Sequence, residues 1–240
     1  IYLALLAAVI AGLLAGLLTG LLHTVLGIPA ILSGILTQLI LWSANLKIMG
    51  KANISLSARS YKVMLTQMNI NSSIAVLAVI GIILIALLYW FFGTELGCSV
   101  RATGCNLNMS RAQGINTNVN IVLGLMLSNA IVALSGALLA QYQGFADINM
   151  GKGAIVIGLA AVIIGEAVFS KIARNFAVRL FAVIVGGIIY YIVYQVIIFL
   201  GIDTDLLKML SALVVAVFLG VPYVKKHYFA SAVKGGKNNA

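Results

Sequence analysis

Side chains that could carry out catalysis are few in this sequence. The two histidines, His23 and His227, lie far apart at the ends of apolar segments, and no His-Glu-x-x-His zinc motif is present. Ser135 followed by Gly136 has the form of the serine site of intramembrane proteases, but no histidine lies within that apolar segment to activate the hydroxyl. We therefore expect no catalytic residue in this chain.

The cysteine and glycine patterns predict neither a metal site nor a nucleotide site. Cys98 and Cys105 are seven residues apart without a further Cys or His nearby, so we expect two reduced thiols and no bound metal. The segment 144–153 has only part of a phosphate-binding loop, because Ala146 stands where the first glycine is needed and Gly153 follows Lys152. We expect no cofactor in this chain.

Glu166 is a charged residue inside an otherwise apolar segment. Acidic groups in lipid are usually functional, but this one lies close to Lys171, with which it could pair at the membrane surface, so both interpretations stay open. Neutral polar residues also lie deep in apolar segments, where they could line a path for a solute or form hydrogen bonds between helices. These residues are Ser128, Asn129, Ser135 and Gln195.

The composition places all of these residues in a lipid environment. Of 240 residues, 62% are hydrophobic and 8% are charged, whereas a soluble domain carries about 45–50% apolar and about 25% charged residues. This excludes a soluble enzyme and a disordered chain, and the net charge of +10 is spread too thinly for a nucleic-acid-binding module. Since the segments are continuously apolar rather than alternating, we expect an all-α polytopic membrane protein and not a barrel.

Seven apolar segments approach the length of about 20 residues that a helix needs to cross a bilayer. We predict spans at 1–22, 28–43, 74–92, 118–140, 154–169, 177–200 and 206–224. The second and fifth are short, which is tolerated inside a packed bundle. Because Ile1 already lies inside an apolar run without a charged leader, we also expect further residues before it.

The distribution of Lys and Arg predicts the orientation of the spans. When connections are assigned alternately to the two sides, nine basic residues fall on one side, in the loop 94–117, the loop 170–179 and the basic tail 225–240. Six fall on the other side with Asp147 and two further aspartates, although four of the six lie in the single connection 44–73. By the positive-inside rule the first side is cytoplasmic, and we expect a cytoplasmic C-terminus.

Regularly spaced glycines predict where helices pack closely. One set recurs every four residues and the other every seven, so each set returns to one face of a helix. Small residues on one face let two backbones approach, either as a static contact or as a surface that slides during transport. The two sets are Gly12, Gly16 and Gly20, and Gly151, Gly158 and Gly165.

The loop 97–116 contains the signals of a short helix. Asn106 is a good N-cap, residues 107–113 contain good helix formers, Gly104 permits a turn before them and Gly114 a left-handed stop after them. We predict a helix of about two turns outside the membrane. It could dock into a groove on another protein, or rest on lipid, although a lipid-bound helix would have a larger apolar face.

This loop resembles the cytoplasmic loop of permease subunits of the ABC importers for branched-chain amino acids and ribose. The matching pattern is Arg101-Ala-x-Gly104-x-Asn106-x-x-Met109-x-Arg111-x-x-Gly114-Ile115. Further similar segments are Leu134-Ser-Gly-Ala-Leu, Gln141-Tyr-Gln-Gly144 and Gly158-Leu-Ala-Ala-Val-Ile-Ile-Gly165-Glu166-Ala. Gly20-Leu-Leu-His23-Thr24 and Gly34-Ile-Leu-Thr37 resemble a subgroup associated with amino-acid uptake, with tryptophan and tyrosine among the solutes.

The resemblance implies one transmembrane permease domain over 1–240, with N-terminal spans of the family missing. Two copies would form the pathway as a homodimer, and two ATPase subunits on the cytoplasmic side would hold ATP and Mg²⁺. An extracytoplasmic solute-binding lipoprotein would deliver the solute, an amino acid, to this protein of the bacterial cell membrane. The residues that would couple the chain to the ATPase are Arg101, Gly104, Asn106, Leu107, Met109, Arg111 and Gly114.

Two other functions are compatible with so apolar a chain. An ion-coupled secondary transporter or channel would work without an ATPase, and a purely structural anchor would transport nothing. A proton-driven transporter would need acidic or histidine relays near the middle of the membrane, and the sequence places none there. The neutral polar residues at depth disfavour a mere anchor. We therefore predict a permease driven by a separate ATPase.

Overall fold

The computed structural model describes residues 1–56, 64–65, 69–151, 154–169, 175–199 and 209, leaving aside the side chains of 155 and 156. Apart from Met209, the predicted seventh span, 206–224, lies outside these residues, and so does the basic tail. The chain divides into two compact units, Ile1–Gly151 and Lys152–Ala240.

Helices make up most of the described residues, which confirms the all-α polytopic class. The first unit contains α1 (Tyr2–Thr24), α2 (Ala30–Met49), α3 (Ile70–Gly93), α4 (Glu95–Cys105), α5 (Leu107–Ala112) and α6 (Thr117–Gln143). It also contains two short strands, β1 (Asn53–Ser55) and β2 (Phe145–Asp147). The second unit contains α7 (Ala154–Phe169) and α8 (Phe176–Phe199).

Six of the predicted spans are helices at similar bounds. Among the described residues, α1, α2, α3, α6 and α8 are long and apolar enough to cross a membrane, and α7 is a shorter apolar helix. The predicted end of the second span at residue 43 is wrong, because α2 continues to Met49. The polar residues after Ser43 remain helical until Gly50, whose φ of 66° provides a left-handed C-cap.

α1 packs against α6 along its glycine face. A Cβ built on Gly12 would lie 2.6 Å from the carbonyl oxygen of Asn129, and one built on Gly16 would overlap the carbonyl oxygen of Leu125. Gly20 continues this face towards the start of α6. The contacts run in opposite directions along the two helices, so α1 and α6 are antiparallel with their backbones in direct contact.

A pair of buried hydroxyls joins α2 to α1. The Oγ1 atoms of Thr19 and Thr37 lie 2.9 Å apart, and both residues are buried. Ser33 and Thr37 are the buried residues of α2, so this helix contacts its neighbour through polar rather than large apolar side chains. Hydroxyls of this kind stabilise helix pairs in lipid, where no water competes for the hydrogen bond.

The strands β1 and β2 form a small antiparallel sheet at the C-terminal end of α6. Asn53 pairs with Asp147 and Ser55 with Phe145, and the Leu56 amide donates to the carbonyl of Gly144 at 2.7 Å. The sequence analysis did not predict this sheet. It places the segment after α2 and the segment after α6 at the same end of the first unit, as spans of alternating direction require.

In the second unit, α7 and α8 meet through four small residues. A Cβ built on Gly165 would overlap the carbonyl oxygen of Ala182, and one built on Gly186 would overlap that of Ala161. In each helix the two small residues are four positions apart, so they share one face. Beside this contact, Tyr190 of α8 is buried against Ala160 and Ile164 of α7, and the three form an apolar cluster among the described residues of the unit.

Candidate functional site

A tight turn brings α4 directly after α3, at the end of the first unit opposite the sheet. Thr94 caps α4, because its Oγ1 accepts from the amide of Gly97 at 3.3 Å while donating to the Phe91 carbonyl at 2.6 Å. A Cβ built on Gly97 would lie 2.5 Å from the Cα of Phe92. The turn therefore has no room for a side chain at Gly97.

The predicted short helix is confirmed as α5. The Oδ1 atom of Asn106 accepts from the Met109 amide at 3.1 Å, which satisfies a donor that the first turn would leave free. Gly114 follows the helix with a φ of 79°. Asn106 and Gly114 each act on backbone groups within a few residues, so their effect on α5 could be predicted from the sequence alone.

The prediction that Gly104 forms the turn before α5 is wrong. Gly104 lies inside α4, which continues to Cys105, and its φ is not positive. The chain instead breaks at Asn106, whose extended backbone (φ −155°, ψ 104°) ends α4 and begins α5. Asn106 therefore both ends α4 and caps α5, so no glycine turn is needed between the two helices.

Five of the six residues of α5 are exposed. Leu107 and Met109 are 43% and 59% exposed, while Ser110 is buried and donates from its hydroxyl to the carbonyl of Asn106 at 2.9 Å. Arg101 and Arg111 are also exposed. The part of the first unit that carries α5 thus presents apolar and basic side chains outward.

Arg111 has a structural contact that the sequence did not predict. Its Nε donates to the Oγ1 of Thr117 at 3.0 Å, and Thr117 is buried in the first turn of α6. Arg111 therefore fixes α5 to α6, in addition to any contact that its exposed guanidinium makes with another protein.

A second connection, between the buried Asn120 and two residues of α4, joins α4 to α6. The Nδ2 of Asn120 donates to the Oγ of Ser99 at 2.8 Å and to the Oγ1 of Thr103 at 2.9 Å. Asn120 is 5% exposed and Thr103 is 4% exposed. Ser99 and Thr103 are four residues apart, which places them on one face of α4 because α4 is a helix. The sequence analysis did not predict this helix and therefore did not pair the two residues.

The four polar residues predicted for a solute path lie on α6 and α8. Ser128 and Ser135 lie two turns apart and are exposed on α6. Asn129 instead donates to the Leu125 carbonyl of its own helix at 2.9 Å. Gln195 is exposed on α8, in the second unit.

The predicted packing glycines also differ in what they contact. Gly12, Gly16 and Gly20 lie against α6, and Gly165 lies against α8. A Cβ built on Gly151 or Gly158 would meet no atom within 4 Å in the described part of the chain. Gly151 precedes the start of α7, so it is not part of the same helical face.

Glu166 is exposed on α7. Its predicted partner, Lys171, lies outside the described residues. A functional acid and an ion pair with Lys171 both remain predictions. Within the ranges that the structure describes, no group of three or more His, Cys, Asp or Glu side chains could hold a metal ion.

A protein-family model matches residues 1–221. It is described as "Branched-chain amino acid transport system / permease component". No solved structure matches this chain.

Curated relatives include permeases with different solutes. A tyrosine transport system permease protein of Clostridioides difficile (strain R20291) is 41% identical over 197 residues, which cover 82% of this chain and 65% of that protein. An uncharacterized protein of Rickettsia prowazekii (strain Madrid E) is 33% identical over 83% of this chain and 70% of its own length. A galactofuranose transporter permease protein of Escherichia coli (strain K12) is 29% identical over 65% of this chain and 45% of its own. The chain thus spans about two thirds of the length of the first two relatives.

Proposed function

Because the chain belongs to the branched-chain amino acid transport system / permease component family, we propose that it is the permease subunit of an ATP-driven importer for a small polar solute. It is a multi-pass membrane protein and would provide the path for the solute, while a separate ATPase would supply the energy. The observation that carries this proposal is the exposed helix α5, which Arg111 joins to the first turn of α6.

In this proposal α5 is the coupling helix that docks into the ATPase. Leu107 and Met109 would enter an apolar cleft of the partner, with Arg101 and Arg111 binding its polar rim. Asn106 and Gly114 would set where the helix begins and ends, and Gly104 would leave the end of α4 without a side chain that could obstruct docking.

The proposal places α5 in the cytoplasm and the small sheet on the outer face. Arg101 and Arg111 lie at the α5 end of the first unit, and Lys47, Lys51 and Asp147 lie at the end that carries the sheet, so the orientation follows the sequence-wide count of nine basic residues against six. The 27 residues of α6 reach about 40 Å, enough to cross the hydrocarbon core of about 30 Å. The last predicted span would then bring the C-terminus into the cytoplasm of a bacterial cell.

The proposed solute is an amino acid, with an aromatic one as the first to test. The similarity to a tyrosine transport permease at 41% identity supports this choice. Two permease copies would form the path between them, lined by Ser128 and Ser135 of α6, by Asn129 and by Gln195. These side chains are uncharged, which suits a solute without a strong net charge.

The partners follow from the same proposal. Two ATPase subunits would bind ATP and Mg²⁺ and hydrolyse the nucleotide, so this chain would be a transport subunit and not an enzyme. An extracytoplasmic binding protein would deliver the solute to the outer face, where the β1–β2 sheet lies in this orientation.

Site-specific photocrosslinking tests the docking of α5. A photoreactive amino acid replaces Met109 in the complete permease, expressed with the ATPase and with the binding protein. We expect a crosslink to the ATPase at Met109. The matched control replaces Ile54 of β1, which is also exposed but lies at the other end of α6.

Crosslinking from Ile54 to the ATPase, with none from Met109, would contradict the proposed orientation. If neither position forms a crosslink to the ATPase in membranes that show ATP-driven solute uptake, the proposed coupling is contradicted.

A further inference from the structure

We propose that Asn120 is a positioning residue that makes α4 and α6 move as one body, so that a displacement of α5 by the ATPase reaches the membrane-spanning part of the permease. This inference rests on the proposed function. It concerns a residue outside α5 and outside the predicted solute path.

The geometry of the Asn120 amide fits this role. Both hydrogens of a primary amide can be donated, and here Nδ2 lies within 2.9 Å of two hydroxyl oxygens of α4, those of Ser99 and Thr103. The hydroxyl of Thr103 donates in turn to the Ser99 carbonyl at 2.8 Å, so its oxygen is free to accept from Asn120. The two amide protons of Asn120 and the hydroxyl proton of Thr103 thus each have one acceptor.

Burial raises the free-energy cost of breaking the hydrogen bonds of Asn120. Asn120 and Thr103 are almost fully buried, and a hydrogen bond that is lost there leaves polar groups without water to replace it. Val100 of α4 packs beside Gly124 of α6, where an added Cβ would lie 3.7 Å from the Cγ1 of Val100. Because hydrogen bonds depend on distance and angle, the two amide hydrogen bonds fix the position of α4 along α6.

The first turn of α6 holds both helices of the loop. Thr117 accepts from Arg111 of α5, and Asn120, three residues later, binds α4. Farther along, α6 lies against the glycine face of α1, and its last residues lead into β2. The first turn of α6 therefore joins α5 through Thr117 and α4 through Asn120 to the rest of this long helix.

The test measures solute imported per ATP hydrolysed in vesicles that contain the complete permease, its ATPase and the binding protein. The test variants are Asn120→Leu and Thr103→Val, which removes the hydroxyl and keeps the shape of the side chain. We expect each to lower this ratio at least about fivefold, the scale of a modest coupling free energy. Thr103→Ser keeps the hydroxyl, and Asn118→Leu changes an exposed residue of the same turn; both are expected to keep the ratio of the unmodified protein.

Results are normalised to assembled complexes, because a purely structural role would lower the amount of complex and leave the ratio unchanged. An unchanged ratio in Asn120→Leu would overturn the inference. If that variant fails to assemble, an unchanged ratio in Thr103→Val decides against it in the same way. If the unmodified complex shows no ATP-driven uptake, the proposed function fails instead.

Discussion

The guanidinium Nε of Arg111 donates to the hydroxyl of Thr117 at 3.0 Å and so joins α5 to the first turn of α6. This contact separates two roles of Arg111, docking to another protein and holding α5 in place. Variants of the two residues distinguish these roles, because Thr117 is buried and is not available to a partner.

Arg111→Glu and Thr117→Val are both expected to reduce solute uptake while leaving the permease in the membrane. The glutamate variant removes both roles of the arginine and reverses the charge, so we expect almost complete loss. The valine variant removes only the hydrogen bond, worth about 1 kcal/mol and hence about fivefold in uptake. Uptake assays with membrane levels from immunoblots check this. Normal uptake in Thr117→Val would mean that docking alone explains Arg111.

Gly16→Val is expected to destabilise the first unit. The new side chain would overlap the backbone of α6 at Leu125, and overpacking of this kind costs typically about 1–3 kcal/mol. Thermal unfolding of the purified protein in detergent measures the effect as a lower midpoint temperature. The matched control is Gly34→Ala in α2, where an added Cβ would meet no atom within 4 Å. An equal effect of both variants would contradict the described α1–α6 contact.

The buried pair Thr19 and Thr37 is expected to show energetic coupling. Replacing either residue with valine keeps the shape and removes one hydroxyl of the 2.9 Å contact. Interhelical hydrogen bonds in membrane proteins average about 0.6 kcal/mol in double-mutant cycles. We expect a coupling of this size between Thr19→Val and Thr37→Val in denaturant unfolding, and additive effects would show that the hydroxyls do not interact in solution.

The β1–β2 sheet allows a test of register and orientation together. Asn53 and Asp147 are directly opposed, and opposed Cα atoms in antiparallel strands lie about 4.5–5.5 Å apart, within the range for a disulfide. In a protein with Cys98 and Cys105 changed to serine, Asn53→Cys with Asp147→Cys is expected to crosslink when intact cells receive an oxidant that cannot cross the membrane.

The control for this crosslink pairs Ser55→Cys with Asp147→Cys, which are two residues out of register. Equal crosslinking of both pairs would contradict the register. Crosslinking of the opposed pair only after the cells are opened would contradict an outer location of the sheet.

The sequence predicted those parts of the structure that depend on local signals. Asn106 and Gly114 act on neighbouring backbone groups, so α5 could be located from its caps. The helix α4 was missed because Gly97 and Gly104 lower its intrinsic helix propensity, and it is held by Asn120, which is remote in the sequence. The β1–β2 sheet was missed because three-residue strands have no recognisable period and their pairing joins distant segments.

The candidate site shows the same division. The loop pattern from Arg101 to Gly114 was sufficient to locate the exposed helix, but it could not reveal which of its side chains are already bonded within the chain. Arg111 was predicted only as a docking residue, and Asn120 was not predicted at all. A partner for a polar side chain becomes visible only when two helices are placed side by side.

ATP dependence of solute uptake tests the central claim most directly. The complete permease is reconstituted into vesicles with its ATPase and binding protein, and uptake of a labelled aromatic amino acid is measured with ATP, without ATP and with an ion gradient alone. We predict uptake that requires ATP, the ATPase and the binding protein together. Uptake by the permease alone, driven by the ion gradient and indifferent to ATP, would contradict the account.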